Sequence, residues 1–460
     1  MSNTLLISIG TFGSKILVFF MVRFYTGYLT PSDYSTADLI TQTANVLFPI
    51  ISLGITEGVF RFALDNERGR RSIFTAGFTV ITAGGLLFIA IAPLLSLTKS
   101  FKGFVWLIVI YTMSSCYHAL CAQFIRATGN TALFAVQGII NTSLVIGLNI
   151  LFLAVMKIGV TGYVLSVVLA DFLCTLFLFF KEKLWRQFTP HPCRSAYGKM
   201  LRYSIPLIPT TVFWWITSVS DRYMVNGFIG SDANGIYTVS YKIPTVLTLV
   251  SSIFMQAWQF SAVTESHGDR EEHSEFFSYV WRSFQAVMFL AGSTIIAFAK
   301  PAIKILSAKE YYSAWQYVPV LSCAMIFTAF TSYMGTVYVV TKQSGMSFIT
   351  ALAGAVINIA LNFVLIPSPL GVQGAAVATF ISYFAVFIIR AVNVKKYLPF
   401  KMYSKHIGIN SVIIIIQTVF SVAELKGWIA VQAISILLLF AVNFNFIKAC
   451  IKKILSSIKK

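Results

Sequence analysis

The chain has 460 residues, 57% of them hydrophobic and only 11% charged, with a net charge of +19 and a mean hydropathy of +0.78. A soluble domain carries roughly a quarter charged residues, so apolar surface on this scale needs lipid as part of its solvent and excludes a water-soluble globular fold. In a soluble protein the positive charge would point to nucleic acid; here it flanks apolar segments, and no nucleic-acid partner is expected.

A helix crosses the hydrocarbon core with about 20 mostly apolar residues. Fourteen such segments follow in order, starting near Leu5, Asp38, Ser72, Phe104, Leu133, Gly159, Tyr203, Gly235, Tyr279, Tyr317, Ser347, Gly374, His406 and Trp428. The first, Leu5 to Val22, lacks a small-residue cleavage site after it and reads as a membrane helix rather than a signal peptide. Internal Pro49, Pro206, Pro209 and Pro244 are breaks of the kind transporter helices tolerate. Lysines and arginines favour one set of loops about threefold, including Arg68, Arg70, Arg71, Lys181, Lys183, Arg186, Arg390, Lys395 and the Lys-rich tail. By the positive-inside rule both termini face the cytoplasm. An even helix count agrees.

The loops are short, about 25 residues at most, which leaves no extramembrane domain for an active site. No phosphate-cradling glycine motif appears. An enzyme is therefore not expected, nor any cofactor beyond a coupling H+ or Na+. The six cysteines show no CxxC pair and read as small apolar side chains. The cluster Glu265 to His273 matches no zinc spacing and reads as a solvated loop. Glu57 and Arg61, four apart, are expected to pair along one helix face.

An internal echo predicts two related halves. Gly147-Leu148-Asn149 followed by Gly159-Val160-Thr161-Gly162 parallels Ala360-Leu361-Asn362 followed by Gly371-Val372-Gln373-Gly374. Tyr28-Leu29-Thr30-Pro31-Ser32-Asp33 likewise parallels Phe228-Ile229-Gly230-Ser231-Asp232. Each echo recurs six helices later with the same orientation, a parallel repeat. The expected architecture is an all-α polytopic membrane protein: a six-helix lobe at 1–202, a second at 203–400, and two further helices with a basic tail at 401–460.

Several short stretches carry a family resemblance: Tyr28-Leu29-Thr30-Pro31-Ser32-Asp33-Tyr34, Gly54-Ile55-Thr56-Glu57-Gly58-Val59-Phe60-Arg61-Phe62, Gln123-Phe124-Ile125-Arg126-Ala127-Thr128-Gly129-Asn130, Ser220-Asp221-Arg222-Tyr223 and Gly235-Ile236-Tyr237. In their order on a fourteen-helix frame the chain resembles the polysaccharide transporter (Wzx-type flippase) family of the multidrug/oligosaccharidyl-lipid/polysaccharide (MOP) superfamily. The resemblance implies a bacterial cytoplasmic-membrane flippase that alternates between inward-open and outward-open states. Its implied cargo is an oligosaccharide on polyprenyl pyrophosphate, handed to a polysaccharide polymerase and assembly proteins, with membrane lipids as further partners.

Ionisable groups at bilayer depth are costly and face a cavity or a partner. Lys15, Arg222 and Lys242 fall inside apolar segments, with Arg23 at a rim, and the resemblance implies that the helices carrying Lys15 and Arg222 line the cavity. Together these cations suit a pyrophosphate. The plainer alternative is structural pairing for Arg222 and snorkelling for Lys242 and Arg23. Asp171 and Asp221 read either as ion-coupling acids or as structural hydrogen-bond partners. Sugar contacts are expected from residues such as Trp214, Trp215, Tyr241 and Gln256. The competing functions are a multidrug extruder, a lipid II flippase, a membrane polymerase or glycosyltransferase, and a scaffold. Short, acid-poor outer loops weigh against the enzyme, and the embedded cations against a cation extruder.

Overall fold

The computed structural model describes residues 17 and 19–458, apart from 66, 68, 98–100, 191, 265–269 and 342. Among the described residues every regular element is a helix. By internal packing the chain divides into two units, Met1–Trp215 and Ile216–Lys460.

The first unit contains α1 (residues 19–28), α2 (Pro31–Ile51), α3 (Ile55–Asp65), α4 (Arg70–Ile91), α5 (Val105–Ala127), α6 (Thr131–Asn149), α7 (Gly159–Lys181), α8 (Arg194–Ser204) and the start of α9 (Ile208–Phe228). The second contains the rest of α9, α10 (Ser231–Lys242), α11 (Thr245–Thr264), α12 (Arg270–Ala297), α13 (Ala299–Leu306), α14 (Val318–Val340), α15 (Ser344–Leu365), α16 (Val372–Asn393), α17 (Ser404–Val422) and α18 (Trp428–Ile458). Nine helices among the described residues are long and apolar enough to cross a membrane, and α2 with α3 makes a tenth as a pair bent by 53°. Predicted segments two to fourteen each coincide with a helix or, at α2–α3 and α10–α11, with a broken pair.

Local chemistry sets these boundaries. α2 starts before its apolar run because Thr30 and Asp33 form a capping box, each side chain bonding the other's backbone N–H, with Pro31 in the first turn. The α2–α3 bend sits at Leu53 (φ 49°) and Gly54 (φ 61°), two successive left-handed residues. There α8 packs so closely that a Cβ on Gly58 would lie 2.7 Å from the Ser204 hydroxyl. The internal echo is visible in the backbone. Gly159 and Gly371, at the starts of α7 and α16, share a positive φ (54° and 52°). Three residues on, Gly162 and Gly374 press against the preceding strut of chain, at Phe152 and Leu365 respectively.

The core of the first unit gathers Val59, Phe74, Leu120, Phe124 and Leu178. The second is built around α14, 83% of whose most apolar window is buried. Against it α12 and α16 stack aromatics: Trp281 meets Tyr333 at 4.9 Å and Phe330 at 5.0 Å, and Phe327 meets Phe387 at 5.5 Å. α17 and α18 join α12 through a buried polar staple in which Ser293 donates to Gln417 (2.8 Å) and Gln417 to Gln432 (2.8 Å). In lipid such inter-helix bonds replace the hydrophobic drive that water would supply. Outside the membrane-buried core, Lys300 on α13 sits between the rings of Trp315 and Trp428, 4.2 Å from each, and pairs with Glu424. This clasp fastens the α17–α18 turn to α13.

Two expectations are corrected. Arg61 pairs with Asp65 at 3.5 Å, one turn on, rather than with Glu57. Arg390 is not a loop cation: only 3% exposed, it donates to the Thr350 hydroxyl (3.0 and 2.8 Å) and to the Thr331 carbonyl (2.9 Å). It ties α14, α15 and α16 together.

Candidate functional site

Among the described residues each unit holds a buried polar cluster built around an acid in mid-helix. In the first, Asp171 lies midway along α7 and is 7% exposed. α5 presents Ser115 and His118, three apart and so on one face; α6 presents Gln137 and Asn141, four apart. Asp171 accepts from Ser115 Oγ (2.6 Å) and from Asn141 Nδ2 (2.9 Å), and His118 Nδ1 lies 3.2 Å from Asp171 Oδ1. The other ring nitrogen, His118 Nε2, is 2.8 Å from Gln137 Oε1.

That geometry constrains the protons. Gln137 Oε1 only accepts, so Nε2 carries hydrogen in this arrangement. Nδ1 then donates to the carboxylate or accepts from a protonated Asp171, because a bare lone pair facing a carboxylate is repulsive. Either way the pair holds one proton between its members. Tyr111, which interacts with both Asp171 and Asp38, meets Thr41 of α2, and Cys174 of α7 lies close to Asn141 and Asp171.

In the second unit the acid is Asp221 on α9, fully buried. Its Oδ2 accepts from Tyr237 (2.8 Å) and Tyr241 (2.5 Å) of α10 and from Thr379 of α16 (3.0 Å). Its Oδ1 accepts from the Arg222 backbone N–H at 2.9 Å. The network continues through Asn358 of α15, which accepts from Ser220 (2.8 Å) and Asn362 (2.9 Å). Arg222 itself is 8% exposed and lies with its guanidinium over the Tyr241 ring, 4.6 Å from the centroid. Lys242 follows next on the chain, half-buried, at the end of α10.

Sequence reasoning located these acids and missed most of their partners. Asp221, Arg222 and Tyr241 are brought together, and Lys242 is the next residue after Tyr241 on the chain. Arg23 belongs to the other unit, exposed on α1. Lys15 and residues 265–269 lie outside the described residues, as does the Gln256 side chain. Tyr241, expected to meet sugar, is spent on Asp221. His118 went unnoticed, although a histidine in mid-segment was the signal. Among the described residues no group of acids, histidines and cysteines is placed to hold a metal ion. A cavity of about 570 Å3 in the first unit, lined mainly by apolar side chains such as Phe78, Met113, Phe172 and Phe179, suits an acyl chain rather than a charged group.

Residues 21–316 match the family model described as "Polysaccharide biosynthesis protein". The chain belongs to that family. Its fold is shared with solved transporters of the MOP superfamily. The lipid II flippase MurJ, in an inward closed conformation, superposes with a TM-score of 0.69 at 15% identity, covering 98% of this chain and 100% of that one. An inward-facing multidrug resistance MATE family transporter gives 0.64 at 13% identity, over 85% and 95%. Its outward-facing form gives 0.62 at 14%, over 86% and 94%. No curated protein sequence matches the chain significantly.

Proposed function

We propose that this protein flips a polyprenyl-pyrophosphate-linked oligosaccharide across a bacterial cytoplasmic membrane by alternating access, with both termini cytoplasmic, for surface polysaccharide assembly. The family match over residues 21–316 carries the reading. The fold supports a lipid-linked cargo over a small organic cation, because nearly the whole chain, trailing helices included, superposes on a lipid flippase, whereas the multidrug transporters cover 85–86% of it.

In this reading Arg222 and Lys242 meet the pyrophosphate, assisted by Lys15 and Arg23. Arg222 rests on Tyr241, whose hydroxyl is fixed by Asp221, so the guanidinium loses little freedom when it takes an anion. Asp221 is the anchor of that arrangement. Asp171 with His118 is the site that takes up and releases a coupling proton. A polysaccharide polymerase and its assembly proteins receive the product.

The test is transbilayer movement of fluorescent polyprenyl-pyrophosphate oligosaccharide in proteoliposomes, with Arg222→Gln and Lys15→Ala compared with wild type. Movement lost in folded variants supports the reading with its site. Movement retained in both moves the site elsewhere. Wild type that moves no carrier-linked glycan but exports organic cations overturns the function.

A further inference from the structure

α11 and α14 carry matching stripes. Thr248, Ser251, Ser252 and Met255 fall at i, i+3, i+4 and i+7 of one helix; Met325, Thr328 and Ser332 fall at i, i+3 and i+7 of the other, so each set shares a face. The two faces enclose a cavity of about 250 Å3 within the second unit. We infer that this hydroxyl-lined cavity is a subsite for one neutral sugar ring of the cargo. The inference rests on the transport reading above and assigns it a place for the glycan.

Hydrogen-bond accounting defines the ligand. Thr248 donates to the Thr245 carbonyl (2.6 Å), Ser252 to Leu249 (2.9 Å), Thr328 to Ala324 (2.8 Å) and Ser332 to Thr328 (3.0 Å). A hydroxyl has a single proton. These four spend theirs on their own backbone and turn lone pairs to the cavity, although Thr328 also meets Tyr383. The lining is thus largely apolar, carries no formal charge, and sets these acceptors and the Ser251 hydroxyl beside two methionine side chains. A phosphate, which only accepts, finds few donors there. An organic cation finds neither a carboxylate nor an aromatic face. A lipid chain would supply no donor to the hydroxyl lone pairs. A pyranose ring supplies what is missing: O–H donors around its edge and C–H faces for Met255 and Met325.

Size and position agree. At about 30 Å3 per liquid water, the cavity has room for roughly eight waters, which is one sugar ring rather than an oligosaccharide. Thr248 lies six residues beyond Lys242, in the first turn of α11 just past the break after α10. A pyrophosphate held at Arg222 and Lys242 thus places its first sugars within reach. Back-bonded hydroxyls also occur where helices merely pack, but packing faces interdigitate and do not leave an open cavity between them.

The experiment measures binding of two probes in detergent: polyprenyl pyrophosphate bearing one glucose, and bare polyprenyl pyrophosphate. The variant Thr248→Val/Ser252→Ala/Thr328→Val/Ser332→Ala removes hydroxyls while nearly keeping shape. It is expected to bind the glucosylated lipid about tenfold more weakly, with bare-carrier affinity unchanged. If it does not fold, Ser252→Ala/Ser332→Ala should still show about a threefold selective loss. Equal affinity of variant and wild type for the glucosylated lipid, or equal loss for both lipids, overturns the subsite and leaves the flippase standing. Wild type that binds neither lipid overturns both.

Discussion

Asp221→Asn separates an anchoring acid from a transporting one. The change keeps the side chain's shape but converts one acceptor oxygen into an N–H2 group that only donates. In the native arrangement Oδ2 serves three hydroxyls, those of Tyr237, Tyr241 and Thr379, while Oδ1 faces the Arg222 N–H. With the amide nitrogen at the Oδ2 position, three donors meet a donor. Flipped, the amide oxygen keeps the three hydroxyls but its N–H2 opposes the Arg222 N–H. In either orientation at least one buried donor loses its acceptor, at about 1–3 kcal/mol. Adding the donor–donor conflict brings the cost to about 2–4 kcal/mol. For a unit of this size that is about 8 °C in melting temperature. Thermal unfolding of the detergent-solubilised protein, followed by tryptophan fluorescence, measures it. Tyr241→Phe should cost less, since it leaves the carboxylate satisfied. Combining the two should cost less than their sum, because the phenylalanine removes one competing donor. An Asp221→Asn protein that melts within 2 °C of wild type while losing translocation more than tenfold would refute the anchoring argument and make the carboxylate a working group.

Four further outcomes follow from the same structure. Gly374→Ala places a Cβ 2.3 Å from the Leu365 carbonyl oxygen, which is backbone and cannot yield, so it should destabilise by about 1–3 kcal/mol; Gly138→Ala, with open space, should be neutral or slightly stabilising in the same thermal assay. Lys300→Met removes two indole contacts and the Glu424 pair and should cost about 1–2 kcal/mol, with a shift in tryptophan emission from Trp315 and Trp428. Cys193 is exposed, and a hydrogen bond with Ser195 holds its thiol below the usual range, so maleimide should label it at neutral pH while buried Cys116, Cys121, Cys174 and Cys323 stay unlabelled. Ser195→Ala lets that thiol rise, reduces the thiolate fraction at pH 7 and should slow labelling several-fold; labelling of intact cells by an impermeant maleimide would contradict a cytoplasmic position. If Asp171 and His118 carry the coupling proton, Asp171→Asn and His118→Gln should each abolish stimulation of translocation by a pH gradient, and stimulation that survives in both would refute that assignment.

The helical frame was legible because lipid imposes one simple requirement, a long apolar run for every crossing. The echo around Gly159 and Gly371 was legible for a related reason: a left-handed turn and a close approach both call for glycine, and both constraints recur in the backbone. Pairings between distant segments were not. Nothing in the spacing of Asp171 singles out His118, 53 positions earlier, and nothing near Asp221 singles out Thr379. Arg390 was misplaced because four residues from a helix end is also where a loop cation sits; its burial depends on hydroxyls at Thr350 and a carbonyl at Thr331, supplied by two other helices. Arg61 found Asp65 instead of Glu57 because either acid lies one turn away on the same face.

The two acids also show why composition alone could not assign their roles. Both are buried, both sit mid-helix and both are surrounded by polar side chains. Asp171 faces a histidine, a partner that changes charge when a proton moves, and the pair can be reset without breaking its remaining bonds to Ser115 and Asn141. Asp221 accepts from two tyrosines and a threonine, and it is surrounded on both oxygens. That contrast is why we propose the Asp171–His118 pair as the switching site and Asp221 as the anchor. If the flippase cycles on a proton, the switching cluster belongs to the first unit, and the fixed one keeps Arg222 in place for the anion in the second. A transporter needs both kinds of site: a cargo site that switched with every proton would release its pyrophosphate at the wrong face.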